Sequence, residues 1–120
     1  MTFIKEATKK TLNISFLNKE IKVEGSSITE NPHTFFDEVS AYLDTFDQKN
    51  NHFNYEKFSI KITYINTSSL KLFMQLVKRI HSIDPSIEII WLHDQEDEDM
   101  MEIGQMFAAM LGIDIKTDSY

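Results

Sequence analysis

Residues 58–80 read FSIKITYINTSSLKLFMQLVKRI, and two hydrophobic periods meet inside this stretch. In its first part the period is two. Phe58, Ile60, Ile62 and Tyr64 share one face while Ser59, Lys61, Thr63 and Ile65 share the other, the alternation of a strand with one markedly more polar side. From Leu70 onward the spacing changes: Leu70, Phe73, Met74, Val77 and Ile80 form one helical stripe, which runs until Asp84-Pro85, where proline stops the helix. The stretch therefore predicts strand, tight turn and helix, with Asn66-Thr67-Ser68-Ser69 at the junction.

The same patterns extend in both directions. Upstream, Leu12, Ile14 and Phe16 alternate with polar neighbours, Asn18-Lys19 offers a turn, and Ile21 and Val23 alternate again, so residues 11–18 and 20–25 read as a hairpin closed by Gly25-Ser26-Ser27. Asn31-Pro32 supplies an N-cap and a first-turn proline for a helix whose Phe35, Val39, Leu43 and Phe46 recur to about Gln48, before the polar loop 48–52. Downstream, residues 87–93 form a nearly continuous apolar strand, 96–111 a helix ended by Gly112, and 113–116 a short last strand. The predicted order is ββαβαβαβ. Strands alternating with helices imply right-handed crossovers and an α/β sandwich, its mixed sheet mostly parallel with an antiparallel N-terminal hairpin and three helices. At 120 residues one domain, 1–120, is expected, and the polar back of the 58–65 strand predicts that the helices leave part of one sheet face uncovered.

Composition narrows the function. A hydrophobic content of 42% with nine Phe supports a packed core and argues against disorder. The net charge of −7 with one arginine, Arg79, disfavours nucleic acid, which is bound by clustered cations, and points to a protein partner. The absence of Cys removes thiol chemistry, disulfides and cysteine-held zinc. Residues 1–10 lack the apolar run of a signal peptide and no stretch is long and apolar enough to span a membrane, so a cytoplasmic protein with no membrane partner is expected.

Asn66-Thr67-Ser68-Ser69 lies where a strand's carboxyl end meets a helix N-terminus, a place where unpaired N–H groups and the helix dipole favour an anion. Two readings stand side by side: Thr67 or Ser68 caps the helix, or the hydroxyls form a modification site. No glycine-rich loop supports a nucleotide. The acidic run Asp94, Glu96, Asp97, Glu98 and Asp99 has neither the glycine nor the spacing of a calcium loop, and it suits the first turn of a helix. His33, His52, His81 and His93 show no metal-binding or triad spacing, so neither cofactor nor metal is expected, nor catalysis. Trp91 among Ile89, Ile90 and Leu92, and the series Met100, Met101, Met106 and Met110, read as core.

With these residues in view, the chain resembles the SiaC family of bacterial regulatory phosphoproteins, whose fold is related to the STAS domains of anti-sigma-factor antagonists. Two blocks carry the resemblance: Ile62 through Lys71, with its Asn-Thr-Ser-Ser turn, and Trp91 followed by Asp94, Glu96, Asp97, Asp99, Met100, Glu102 and Gly104. The resemblance implies phosphorylation of Thr67 by a dedicated serine/threonine kinase and its reversal by a PP2C-type phosphatase. It implies further that the unphosphorylated form binds an effector such as a diguanylate cyclase, in cyclic di-GMP and biofilm signalling. Asn66, Ser68, Ser69 and Lys71 would then support the switch or meet the partner, with Asn66 and Ser69 unmodified and the Ser69 hydroxyl satisfying local backbone groups. The rival reading is a small ligand-binding module or minor enzyme that holds an anionic metabolite at the same helix N-terminus.

Overall fold

Three strands in turn each feed a helix that carries the chain to the next strand, and this repeated step sets the architecture. The computed structural model describes residues 3–5, 11–29, 31–48 and 53–120. The elements are β1 (Phe3–Lys5), β2 (Asn13–Leu17), β3 (Glu20–Ser27), α1 (His33–Gln48), β4 (Lys57–Ile65), α2 (Thr67–Ile83), β5 (Glu88–His93), α3 (Glu98–Leu111) and β6 (Ile115–Ser119). They build one six-stranded mixed sheet in the order β1-β2-β3-β4-β5-β6. The pairs β1/β2 and β2/β3 are antiparallel, whereas β3/β4, β4/β5 and β5/β6 are parallel.

Strands added in sequence order through right-handed crossovers place all three helices on one face. Burial follows this. Ile14, Phe16, Ile21, Val23, Phe58, Ile60, Ile62, Ile89 and Trp91 point into the core, while Lys22, Glu24, Lys57, Lys61, Thr63, Lys116 and Asp118 are exposed. The uncovered polar face expected from the 58–65 pattern is therefore real. Phe73, Val77 and Ile80 of α2 and Phe107 of α3 close the core from the helix side.

Trp91 is a core anchor, as its neighbours suggested. Its Nε1–H donates to the Met100 carbonyl at 2.8 Å, which satisfies the indole's polar atom and ties β5 to α3. Gly104 lies against the indole so closely that a Cβ there would sit 2.6 Å from Trp91 Cγ. A side chain at 104 would force the two elements apart.

Several boundaries differ from the sequence expectation. Residues 3–5 pair with β2 as an additional strand, so the order is βββαβαβαβ. Asn18 and Lys19 both take positive φ, 54° and 64°, and form the expected tight hairpin turn. The segment Gly25-Ser26-Ser27 does not close that hairpin. It continues β3 alongside β4, and Gly25 at φ 106° marks the point where the register shifts. There Gly25 pairs with Ile62 and Ser26 with Tyr64, so Thr63 is an extra residue on β4. The bulge reverses the side-chain alternation beyond it. Tyr64, expected on the buried face, is 55% exposed, and Ile65, expected on the polar face, is 7% exposed. Gly112, left-handed at φ 65°, caps α3, and the last strand begins at Ile115, two residues later than read, and runs to Ser119. Residues 49–52 of the expected loop, including His52, lie outside the described residues.

Candidate functional site

The parallel strands β3, β4, β5 and β6 bring their carboxyl ends to one edge of the sheet. The bulge in β4 delivers Asn66 to the start of α2 at that edge. Asn66 has extended backbone angles, φ −81° and ψ 169°, and its Oδ1 accepts the Ser69 N–H at 3.0 Å. The cap of α2 is thus Asn66 and not Thr67 or Ser68, because an asparagine side chain one residue before the first helical turn reaches the third free N–H. Thr67 becomes the first helical residue.

The turn is then fastened to β3. The Asn66 N–H donates to the Ser27 carbonyl at 2.9 Å, and the Asn66 Nδ2 to the Thr29 carbonyl at 3.0 Å. The Ser68 hydroxyl lies 3.2 Å from Asn66 Oδ1 and 3.4 Å from the Thr29 carbonyl. Beneath these, the hydroxyls of Ser27 and Ser69 meet at 2.6 Å, and Ser69 is fully buried. Ser69 therefore does not serve the local backbone, as its place in the first turn suggested. It joins α2 to a strand 42 residues away.

Thr67 is left exposed, and its hydroxyl makes no hydrogen bond to another described residue. Lys71, one helical turn further on, is also exposed. Structure thus separates the candidate residues into a holding set, Asn66 and Ser69 with Ser68 at its rim, and a presented pair, Thr67 and Lys71. Ser27 and Thr29 belong to the holding set and escaped the sequence reading, which closed the preceding strand at residue 25. The predicted parallel topology carried a signal for them, since it already put the end of that strand beside the end of the 58–65 strand.

The acidic run sits at the same edge, after β5. Asp97 caps α3 by accepting the Met100 N–H at 3.1 Å, and Asp94 accepts the Glu96 N–H at 2.9 Å. Glu98 and Asp99 occupy the first turn of α3, where the dipole favours carboxylates. Among the described residues no group of three or more His, Asp or Glu is arranged to hold a metal ion. His93 is buried with its Nδ1 2.8 Å from the Asp94 carbonyl, and no helix among the described residues is long and apolar enough to cross a membrane.

An α/β domain with one bare sheet face, presenting an unengaged threonine at a helix N-terminus held by long-range bonds, has the form of a regulatory module. A family model for the SiaC family regulatory phosphoproteins matches residues 5–120, and the chain belongs to that family. Its fold is that of SiaC of Pseudomonas aeruginosa, with a TM-score of 0.77 at 18% identity over 100% of this chain and 99% of that one. It is equally similar to a chain in the crystal structure of the diguanylate cyclase SiaD in complex with its activator SiaC from the same organism, with a TM-score of 0.76 at 19% identity over 98% and 99% of the two chains. Among curated proteins no sequence match is found.

Proposed function

We propose that this protein is a non-enzymatic signalling regulator in which reversible phosphorylation of Thr67 controls binding to an effector protein. The observation that carries this reading is the exposed Thr67 hydroxyl at the first position of α2, left without a structural hydrogen bond while Asn66 does the capping. Membership of a family of regulatory phosphoproteins supports it. The modifying enzymes are a serine/threonine kinase and a PP2C-type phosphatase. The effector is a diguanylate cyclase, by analogy with the complex in which SiaC is the activator of SiaD, which makes cyclic di-GMP output and biofilm growth the readout in the cytoplasm.

Phosphate suits this position without unfolding the domain. It adds about −1.5 to −2 charges at a helix N-terminus, where the dipole and free N–H groups favour an anion, and Lys71 lies one turn away. Its effect falls on the interface, where a partner surface shaped for a neutral hydroxyl meets a dianion that must shed water.

The test is a titration of the purified cyclase with wild type, phosphorylated wild type, Thr67→Ala and Thr67→Asp. Wild type and Thr67→Ala are expected to bind alike, phosphorylated protein about tenfold or more weakly, and Thr67→Asp in between because it carries less charge. Equal affinities for all four, with unchanged circular dichroism, would overturn the reading.

A further inference from the structure

Thr67 belongs to a folded edge and not to a flexible peptide. Residues 66–68 are bonded to the Ser27 and Thr29 carbonyls, and Ser69 is locked to Ser27, so the segment cannot be drawn out as an extended strand without breaking contacts 37 to 42 residues apart. An enzyme that reaches the Thr67 hydroxyl must close on whatever the fold places around it. Two apolar side chains are there. Tyr64, turned outward by the bulge, is 55% exposed three residues before Thr67, and Ile28, next to the Thr29 carbonyl that holds Asn66 and Ser68, is 44% exposed. At the same sheet edge, after β5, the exposed carboxylates of Asp94, Glu96, Glu98 and Asp99 give one sign of charge.

We infer that the kinase acting on Thr67 docks on this folded edge, with Ile28 and Tyr64 as apolar anchors and the 94–99 carboxylates facing a basic rim on the enzyme. The inference rests on the proposal that Thr67 is phosphorylated. Apolar anchors beside the reacting group supply affinity by shedding water, while the acidic rim raises the rate of encounter and makes it depend on salt. A short peptide carrying the same residues lacks both Ile28 and the rim, and it must adopt the turn unaided.

The experiment measures steady-state phosphorylation by the histidine-kinase-like protein kinase encoded beside the gene, with the full chain as substrate. Ile28→Ser and Tyr64→Ala should each raise KM about tenfold and leave kcat nearly unchanged, since they act on docking and not on the hydroxyl. Leu17→Ser and Met110→Ser, which alter exposed apolar residues on other elements, should leave both constants unchanged. Glu96→Lys with Glu98→Lys should raise KM and flatten its dependence on salt. A peptide spanning residues 60–75 should be phosphorylated at least about a hundredfold less efficiently, a kcat/KM difference equivalent to roughly 2.7 kcal/mol. Unchanged KM in both Ile28→Ser and Tyr64→Ala, or a peptide as good as the folded chain, overturns the docking surface while leaving the switch intact. Failure of the wild-type chain to take up phosphate at residue 67 overturns the switch itself.

Discussion

Side chains that look alike in the tetrapeptide Asn66-Thr67-Ser68-Ser69 have divided duties, and the division is one of hydrogen bonding. Asn66 carries the helix cap and a bond to the Thr29 carbonyl, so its loss removes an interaction at each end of the turn. Ser69 is buried against Ser27, where an unmatched hydroxyl is costly. Thr67 does neither, which frees it for a kinase. Asn66→Ala is therefore expected to lose about 1–2 kcal/mol of stability, whereas Thr67→Ala stays within about 0.5 kcal/mol of wild type. Urea denaturation of the two variants checks this. A larger loss in Thr67→Ala than in Asn66→Ala would return the capping role to Thr67.

Among the elements, β4 shows how one extra residue reassigns every side chain after it. Up to Ile62 its alternation runs as the sequence pattern demands, with Phe58, Ile60 and Ile62 buried. Thr63 is then unmatched opposite the step from Gly25 to Ser26, and the inward face passes from Tyr64 to Ile65. The period-two pattern alone makes Tyr64 the core residue and Ile65 the surface one; the bulged strand makes the opposite assignment. Ile65→Ala should cost about 2–4 kcal/mol in chemical denaturation, and Tyr64→Ala about 0.5 kcal/mol or less. The reverse order would place the register shift elsewhere. The same bulge aims Asn66 at the Ser27 and Thr29 carbonyls, so the element that carries the turn also sets its geometry.

For the whole molecule, the aromatic layer under α1 ties stability to pH. The hydroxyls of Tyr42 and Tyr55 lie 3.2 Å apart in the core, where both rings also pack on Phe16. Burial first, and then the hydrogen bond and charge of Tyr42, push the Tyr55 phenol above its ordinary range. In the unfolded chain that phenol releases its proton near pH 10, and in the folded chain only at higher pH. Its contribution is thus complete below about pH 10 and is lost as pH rises from there, with a slope of up to about 1.4 kcal/mol per pH unit. Denaturation measured from pH 8 to 11 should show that decline, and Tyr55→Phe should lessen it; identical slopes in the two proteins would count against the buried pair. The sequence by itself determined the order of strands and helices from β2 onward, the polar back of the sheet, the core role of Trp91 and the place of the Asn-Thr-Ser-Ser turn at a helix start. Each of these is written in periods of two or 3.6 residues within one element, because every element must bury one face. Only the tertiary structure decided that β1 pairs with β2, that Asn66 is the cap, that Ser69 is buried while Thr67 is exposed, and that Ser27 and Thr29 hold the turn. Those outcomes depend on the register of β3 against β4 and on contacts between residues about forty positions apart, and no local hydrophobic period encodes either.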